Sequence, residues 1–288
     1  MSDVLWQPSQ DRKDAALVTS FIERINRTHG LHLDGMASLW RWSVDQPALF
    51  WREVWTDCDI VDDGPGGVVV DDPDRMPGAR WFPEARLNYA ENCLRRSDEG
   101  DALVFWGEDK VKRRLSWREL NALVARFAAA LEAMGIGPGD RVAGLMPNLP
   151  ETIAALLAAA SIGAVWSSAS PDFGVAGVLD RFGQIGPKLL ISVDGYWYNG
   201  KGHDIRAKLG DIRAGLPSVE RLVVVPYLDA SPDLSGLAGA VTLADFLAPH
   251  QADRPSFRRL PFDHPLMVMF SSGTTGAPKC ILHGAGGR

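Results

Sequence analysis

Apolar residues recur at helical spacing between Asp14 and Gly30, where Val18, Phe21, Ile22 and Ile25 form one stripe and Gly30 supplies a stop. This predicts an N-terminal helix. Leu39-Trp40-Arg41-Trp42 follows, and then Pro47 to Trp55, where Pro47 suits a first helical turn and Trp51 and Trp55 lie one turn apart. An aromatic stripe of this kind is expected to be core packing, because aromatic rings bury large areas. From Val61 to Arg80, Asp, Gly and Pro surround the short apolar run Val68-Val69-Val70, which predicts a loop around a brief strand.

After Asp98-Glu99-Gly100 the pattern changes to alternating strands and helices, the signature of a mostly parallel sheet covered by helices. Val104-Phe105-Trp106 is the first strand candidate. Ser116-Trp117-Arg118-Glu119 has the form of a capping box, and Leu120, Leu123, Val124, Phe127, Leu131 and Met134 then mark one helix face that Gly135 ends. Strand Arg141 to Met146, helix Pro150 to Ile162 and strand Ala164 to Ser167 come next. A helix from about Ala176 to Phe182, a break at Gly186-Pro187 and strand Leu189 to Val193 continue the series, with a helix expected around His203 to Leu209 before strand Arg221 to Val225. The Ser/Pro/Gly-rich stretch from Ser231 to Gly239 reads as a surface loop.

With 288 residues, 46% hydrophobic and 23% charged, the chain can divide a substantial core between about two domains. Its first residues carry no basic segment followed by a long apolar run, so neither a secretory signal nor a membrane anchor is expected, and a cytoplasmic location is. Cys58, Cys93 and Cys280 are widely spaced and odd in number, which fits reduced thiols used as small core residues rather than a disulfide framework or a zinc site. A net charge of −6 opposes a broad electrostatic footprint for nucleic acid. Anionic ligands would have to be held by local devices.

One such device stands near the end. The apolar run Leu266 to Phe270 enters Ser271-Ser272-Gly273-Thr274-Thr275-Gly276-Ala277-Pro278-Lys279, and the short apolar segment Cys280-Ile281-Leu282-His283 leaves it. Glycines let main-chain amides close around phosphate oxygens, hydroxyls add donors, and a lysine neutralises polyphosphate charge. The spacing is not that of a Walker loop, since Pro278 precedes Lys279 and a strand rather than a helix is expected to follow. On composition alone a Gly-rich hairpin turn with a solvated lysine stays open as an alternative.

The run Ser272 to Lys279 resembles the signature loop of the adenylate-forming superfamily, the group of acyl-CoA synthetases, luciferases and peptide-synthetase adenylation domains. The resemblance implies that Thr274, Thr275, Gly276 and Lys279 contact ATP phosphates, with Ser271, Ser272 and Gly273 in support and Lys279 and Thr274 nearest the chemistry. His283 to Gly287 resembles the His-containing segment that follows the loop in short-chain members. Trp81 to Asn92 is similar to the opening segment of acetyl- and acetoacetyl-CoA synthetases, while Gly163 to Gly174 and Val193 to Lys201 are closer to the acetoacetyl branch.

That branch implies a layered α/β fold of the ligase N-terminal domain with a helical, Trp-rich N-terminal extension, truncated: residues 1–97 the extension, 98–262 an α/β sheet subdomain, 263–288 the start of the next subdomain. It implies acetoacetate, ATP and coenzyme A as small-molecule substrates, with no nucleic acid or membrane partner. Lys201 falls where relatives place a basic residue near the coenzyme A phosphates, against the alternative of a solvated lysine. Asn88 and Asn92 are expected to cap and pin a loop; Ser167 to Ser170 could instead border a ligand at a sheet switch point. Mg²⁺ is expected to accompany ATP, with no ligand set for it here. The family's later nucleotide contacts, acidic magnesium residue and C-terminal lysine have no counterpart before Arg288, so the 288-residue product alone is expected not to complete adenylation. Two alternatives stay open: another short acid such as acetate or propionate, and a non-catalytic protein that binds nucleotide or coenzyme A.

Overall fold

The structure, a computed structural model, describes residues 4–271 and 276–287. The chain forms two compact units: Met1–Ile60 with Gly64–Ala85, and Val61–Asp63 with Arg86–Arg288. In the first, helices Leu17–His29, Met36–Asp45 and Pro47–Asp57 bury Ile22, Ile25, Leu39 and Trp42 against Phe21, Leu31, Leu33 and Phe50. Gly30 ends the first helix in the left-handed region (φ 64°), where a residue without a Cβ fits best. The brief strand near Val68 is Val70–Asp71, paired with Arg80–Trp81.

The aromatic stripe is only partly core. Trp42 and Trp55 are buried, but Trp51 is 44% exposed and meets Trp81 edge-on at 6.2 Å. Glu53 occupies the buried side of the same helix instead, held by Arg24 and by His29 at 2.9 Å. Burial pushes its carboxyl upward, but the hydrogen bonds from His29 and Arg24 more than offset this and leave it below its ordinary value.

The second unit is built on a seven-stranded sheet: β1 (Arg141–Leu145), β2 (Val165–Ala169), β3 (Leu189–Val193), β4 (Arg221–Val225), β5 (Ala240–Thr242), β6 (Pro265–Ser271) and β7 (Lys279–Gly284). Their spatial order is β5-β4-β3-β1-β2-β6-β7. All neighbours are parallel except β6 and β7, which form an antiparallel hairpin. Every residue of β3 is buried, as a parallel strand covered on both faces requires, and its one polar residue, Ser192, donates to the Leu145 carbonyl at 3.0 Å.

The helices over the sheet include α1 (Trp117–Ala133), α2 (Pro150–Ile162), α3 (Val175–Ile185) and α4 (Arg206–Gly215), and a short helix, Leu243–Leu247, packs on β4 and β5. The capping box forms as expected, with Ser116 Oγ accepting from the Glu119 amide and Glu119 Oε2 from the Ser116 amide at 2.7 Å. α2 is apolar nearly all round and is buried between the sheet and α1, so it needs no polar face. The step from β1 to β2 runs one way along the sheet and the step from β2 to β3 runs back. Right-handed crossovers therefore place α2 and α3 on opposite faces, and α3 packs with α4.

Three expectations change here. The helix expected from His203 begins at Arg206, because Gly195–Tyr198 and Lys201–Asp204 form a hairpin. Its turn residues Asn199 and Gly200 both take positive φ (51° and 72°), the conformation a two-residue hairpin turn demands. Val104-Phe105-Trp106 lies in strand Asp101–Gly107, whose partner Val111–Ser116 was hidden in a charged run. None of the three cysteines forms a disulfide, but Cys58 and Cys280 are exposed, and only Cys93 packs against the core.

Several polar side chains are tied to main chain. Asn88 Oδ1 accepts from the Ala90 and Glu91 amides, and its Nδ2 donates to Ala160, Ser161 and Arg258 carbonyls at 2.9–3.0 Å. Asn92 pairs with both main-chain groups of Val61 at 2.9 Å. Asp194, directly after β3, accepts from the amides of Tyr227, Leu228 and Asp229 and fixes the segment that leaves β4.

Candidate functional site

Because β1, β2, β3, β4 and β6 are parallel, the segments that follow them gather along one carboxyl edge of the sheet. Connections leave β2 and β6 in opposite directions, toward β3 and β7. The resulting crevice between these adjacent strands is where open α/β sheets accept ligands. The hydroxyl- and glycine-rich loop stands here, at the end of β6. Ser271 and Lys279 are direct partners across the hairpin, and Gly276 takes φ 90°. Ser272, Gly273, Thr274 and Thr275 lie outside the described residues. Lys279 is exposed at the first position of β7.

Beside the last residues of β6 lies a cavity of about 470 Å³, walled by Trp166, Ser168, Ser170, Phe173, Arg181 and Met267 to Phe270. The serines divide by strand alternation. Ser167 is buried and donates to the Val268 carbonyl at 2.9 Å, joining β2 to β6, whereas Ser168 and Ser170 are exposed at the cavity. Arg181 was not visible as a site residue in sequence: it is an ordinary polar position on α3 until folding sets it against Phe173, with the guanidinium 4.4 Å from the ring centroid. It also donates to the Gly177 carbonyl at 2.7 Å. Lys208 of α4 donates to the carbonyls of Pro171 and Phe173 and so fixes the loop after β2. Burial lowers the Lys208 ammonium's pKa, against the pull of Asp172. A slightly larger cavity, about 500 Å³ and walled in part by Arg95, Arg118 and Arg254, shares no residue with this one.

Gln184, one turn beyond Arg181, reaches the loop itself. Its Nε2 donates to the Pro278 carbonyl at 2.9 Å and its Oε1 faces Cys280 Sγ at 3.6 Å.

Lys201 is separate from the loop in the chain but shares the carboxyl edge, on the hairpin that follows β3. It opens the strand that carries His203, and the His203 imidazole stacks on Tyr196 with centroids 5.1 Å apart and planes 17° from parallel. Glu108 Oε2 accepts from the Gly200 amide at 2.8 Å and holds the turn. Among the described residues no three His, Cys, Asp or Glu side chains stand together as a metal site. Nor is any helix of the described residues long and apolar enough to cross a membrane.

Comparison with known proteins adds the following. A family model described as AMP-binding enzyme matches residues 90–287, and one described as acetyl-coenzyme A synthetase N-terminus matches residues 36–93. The acetoacetyl-coenzyme A synthetase of Rhizobium meliloti is 52% identical over 98% of this chain and 43% of its own length. That of Danio rerio is 46% identical over 99% of this chain and 44% of its own length. The structure of acetoacetyl-CoA synthetase from Streptomyces lividans superposes with a TM-score of 0.92 at 42% identity, over 99% of this chain and 44% of that one. The chain thus spans less than half the length of these relatives.

Proposed function

Since the chain belongs to the AMP-binding enzyme family, we propose that it serves in the ATP-dependent joining of acetoacetate to coenzyme A. An acetoacetate carboxylate oxygen attacks the α-phosphorus of ATP, and the bond to pyrophosphate breaks, leaving acetoacetyl-AMP. The coenzyme A sulfur then attacks the acyl carbon, its proton passes to solvent, and AMP leaves with the bonding pair. Both steps depend on holding charged partners in register and neutralising the leaving phosphate.

The observation that carries this reading is the position of Ser271 at the carboxyl end of β6, with Lys279 opposite it across the hairpin, at a switch point of the sheet where the last residues of β6 line a cavity. In that arrangement Lys279, Thr274, Thr275, Gly276 and the supporting Ser271, Ser272 and Gly273 hold the ATP phosphates. Lys201 takes a phosphate of coenzyme A, with the Tyr196–His203 stack beside it offering a flat face for a base. Magnesium enters with the nucleotide, and no step is assigned to it. The choice of acetoacetate is supported by the names of the relatives that match along the chain. A cytoplasmic location is supported by three cysteines that form no disulfide.

The test is product analysis. The protein isolated from its own cells, given ATP, coenzyme A and one acid at a time, is expected to form acetoacetyl-CoA from acetoacetate in preference to acetyl-CoA or propionyl-CoA from their acids. Preferential formation of either of the other thioesters would overturn the choice of acid, and formation of none by a protein of the relatives' full length would overturn the reaction class.

A further inference from the structure

We infer that Gln184 is the positioning residue of the phosphate-loop lysine, fixing the chain on both sides of Lys279 through one carboxamide. This rests on the role proposed above for Lys279. Gln184 stands on the exposed face of α3, two residues before the Gly186 cap. Its Nε2 is anchored one turn back on the Asp180 carbonyl at 2.6 Å and also donates to the Pro278 carbonyl at 2.9 Å. Its Oε1 faces Cys280 Sγ at 3.6 Å. Pro278 and Cys280 are the two neighbours of Lys279, so a single side chain grips the residue before the lysine and the residue after it.

Strand geometry separates this grip from ligand contact. Successive side chains of β7 point to opposite faces, so with Cys280 turned toward Gln184 on α3, Lys279 is turned away from it. Gln184 therefore acts on the lysine only through the main chain. The gain is preorganisation. A long lysine at the start of an edge strand loses much conformational freedom when it binds a phosphate, and that cost falls when its backbone is already held. The sequence conceals the link, because Gln184 and Pro278 are 94 residues apart.

The test is a double-mutant cycle on the full chain, read as affinity for MgATP and for inorganic pyrophosphate by calorimetry. Gln184→Met keeps side-chain length and helix preference while removing both hydrogen-bonding ends. It is expected to weaken MgATP binding by about tenfold, and by less than about twofold when Lys279 is already Ala, since coupling is the mark of residues that act as a unit. Coenzyme A affinity and melting temperature are expected to stay unchanged. Equal losses in both backgrounds, or no loss, would overturn the inference. If Lys279→Ala alone leaves MgATP affinity unchanged, or the unaltered chain binds neither probe, the role of Lys279 fails first, and that result is distinct from additive losses.

Discussion

At the scale of single residues, the chain spends its buried polar groups on holding segments together. Asn88 is the fullest case. It is 1% exposed, caps the short helix Tyr89–Cys93 and donates to three carbonyls, two of them at the end of α2. Asn88→Ala would leave the Arg258 carbonyl and the Ala90 and Glu91 amides without this partner, while the Ala160 and Ser161 carbonyls keep main-chain bonds from Gly163 and Arg258, so a loss of about 1–3 kcal/mol in unfolding free energy is expected. Chemical denaturation measures it, and a change under about 0.5 kcal/mol would show that water replaces the side chain. The capping role of Asn88 was legible, because an Asx residue before a short helix has few other local uses. The roles of Arg181 and Gln184 were not, because each depends on a loop or cavity wall distant in the chain.

At the scale of elements, legibility followed whether local signals and tertiary packing agree. α2 carries Pro150 at its start and Gly163 (φ 83°) at its end, and both of its bounds match the expected ones. β3 and β4 also match, because buried parallel strands leave mostly apolar runs, here with only Ser192 and the exposed Arg221 as polar members. The hairpin Gly195–Asp204 was missed because its Gly, His and Lys positions obscure the period of two, although Asn199-Gly200 was a usable turn signal. Strand Val111–Ser116 was missed because Lys112, Arg113 and Arg114 are exposed or charged throughout. Packing between β1 and β2 makes a further prediction. A Cβ on Gly144 would stand 2.7 Å from two ring atoms of Trp166, which walls the cavity. Gly144→Ala is therefore expected to destabilise by about 1–3 kcal/mol and to shift Trp166. Thermal unfolding and tryptophan fluorescence read the two effects, and an unchanged melting point would mean that the strands part without strain.

At the scale of the whole molecule, one pattern bears on pH. Asp140, just before β1, pairs with Lys188, just before β3, at 2.8 Å, and accepts from the Gly137 amide at 3.0 Å. Burial raises its carboxyl, but the Lys188 and Gly137 hydrogen bonds outweigh this and hold it below the ordinary value. A carboxyl depressed by folding adds stability that is present above the unfolded pKa of about 3.9 and lost as pH falls through the folded value. Melting temperature is thus expected to fall as pH is lowered from 5 toward 3. Asp140→Asn should lower it at pH 7 and flatten part of that dependence, by at most about 1 kcal/mol because the pair is partly exposed. A variant as steeply pH-dependent as the parent would assign the acid sensitivity elsewhere, with Glu53 next in line.

The second unit brings Ser271 and Lys279, the cavity and the Lys201 hairpin to one edge of one sheet, an arrangement that suits the proposed adenylyl transfer followed by acyl transfer. The measurement that tests this most directly is exchange of labelled pyrophosphate into ATP by the protein isolated from its own cells, with acetoacetate, acetate or propionate supplied in turn and coenzyme A left out. Exchange that depends on acetoacetate and runs at least about tenfold faster than with the other two acids is the predicted result, a ratio equivalent to about 1.4 kcal/mol of discrimination. Exchange independent of any acid, or fastest with acetate or propionate, would contradict it.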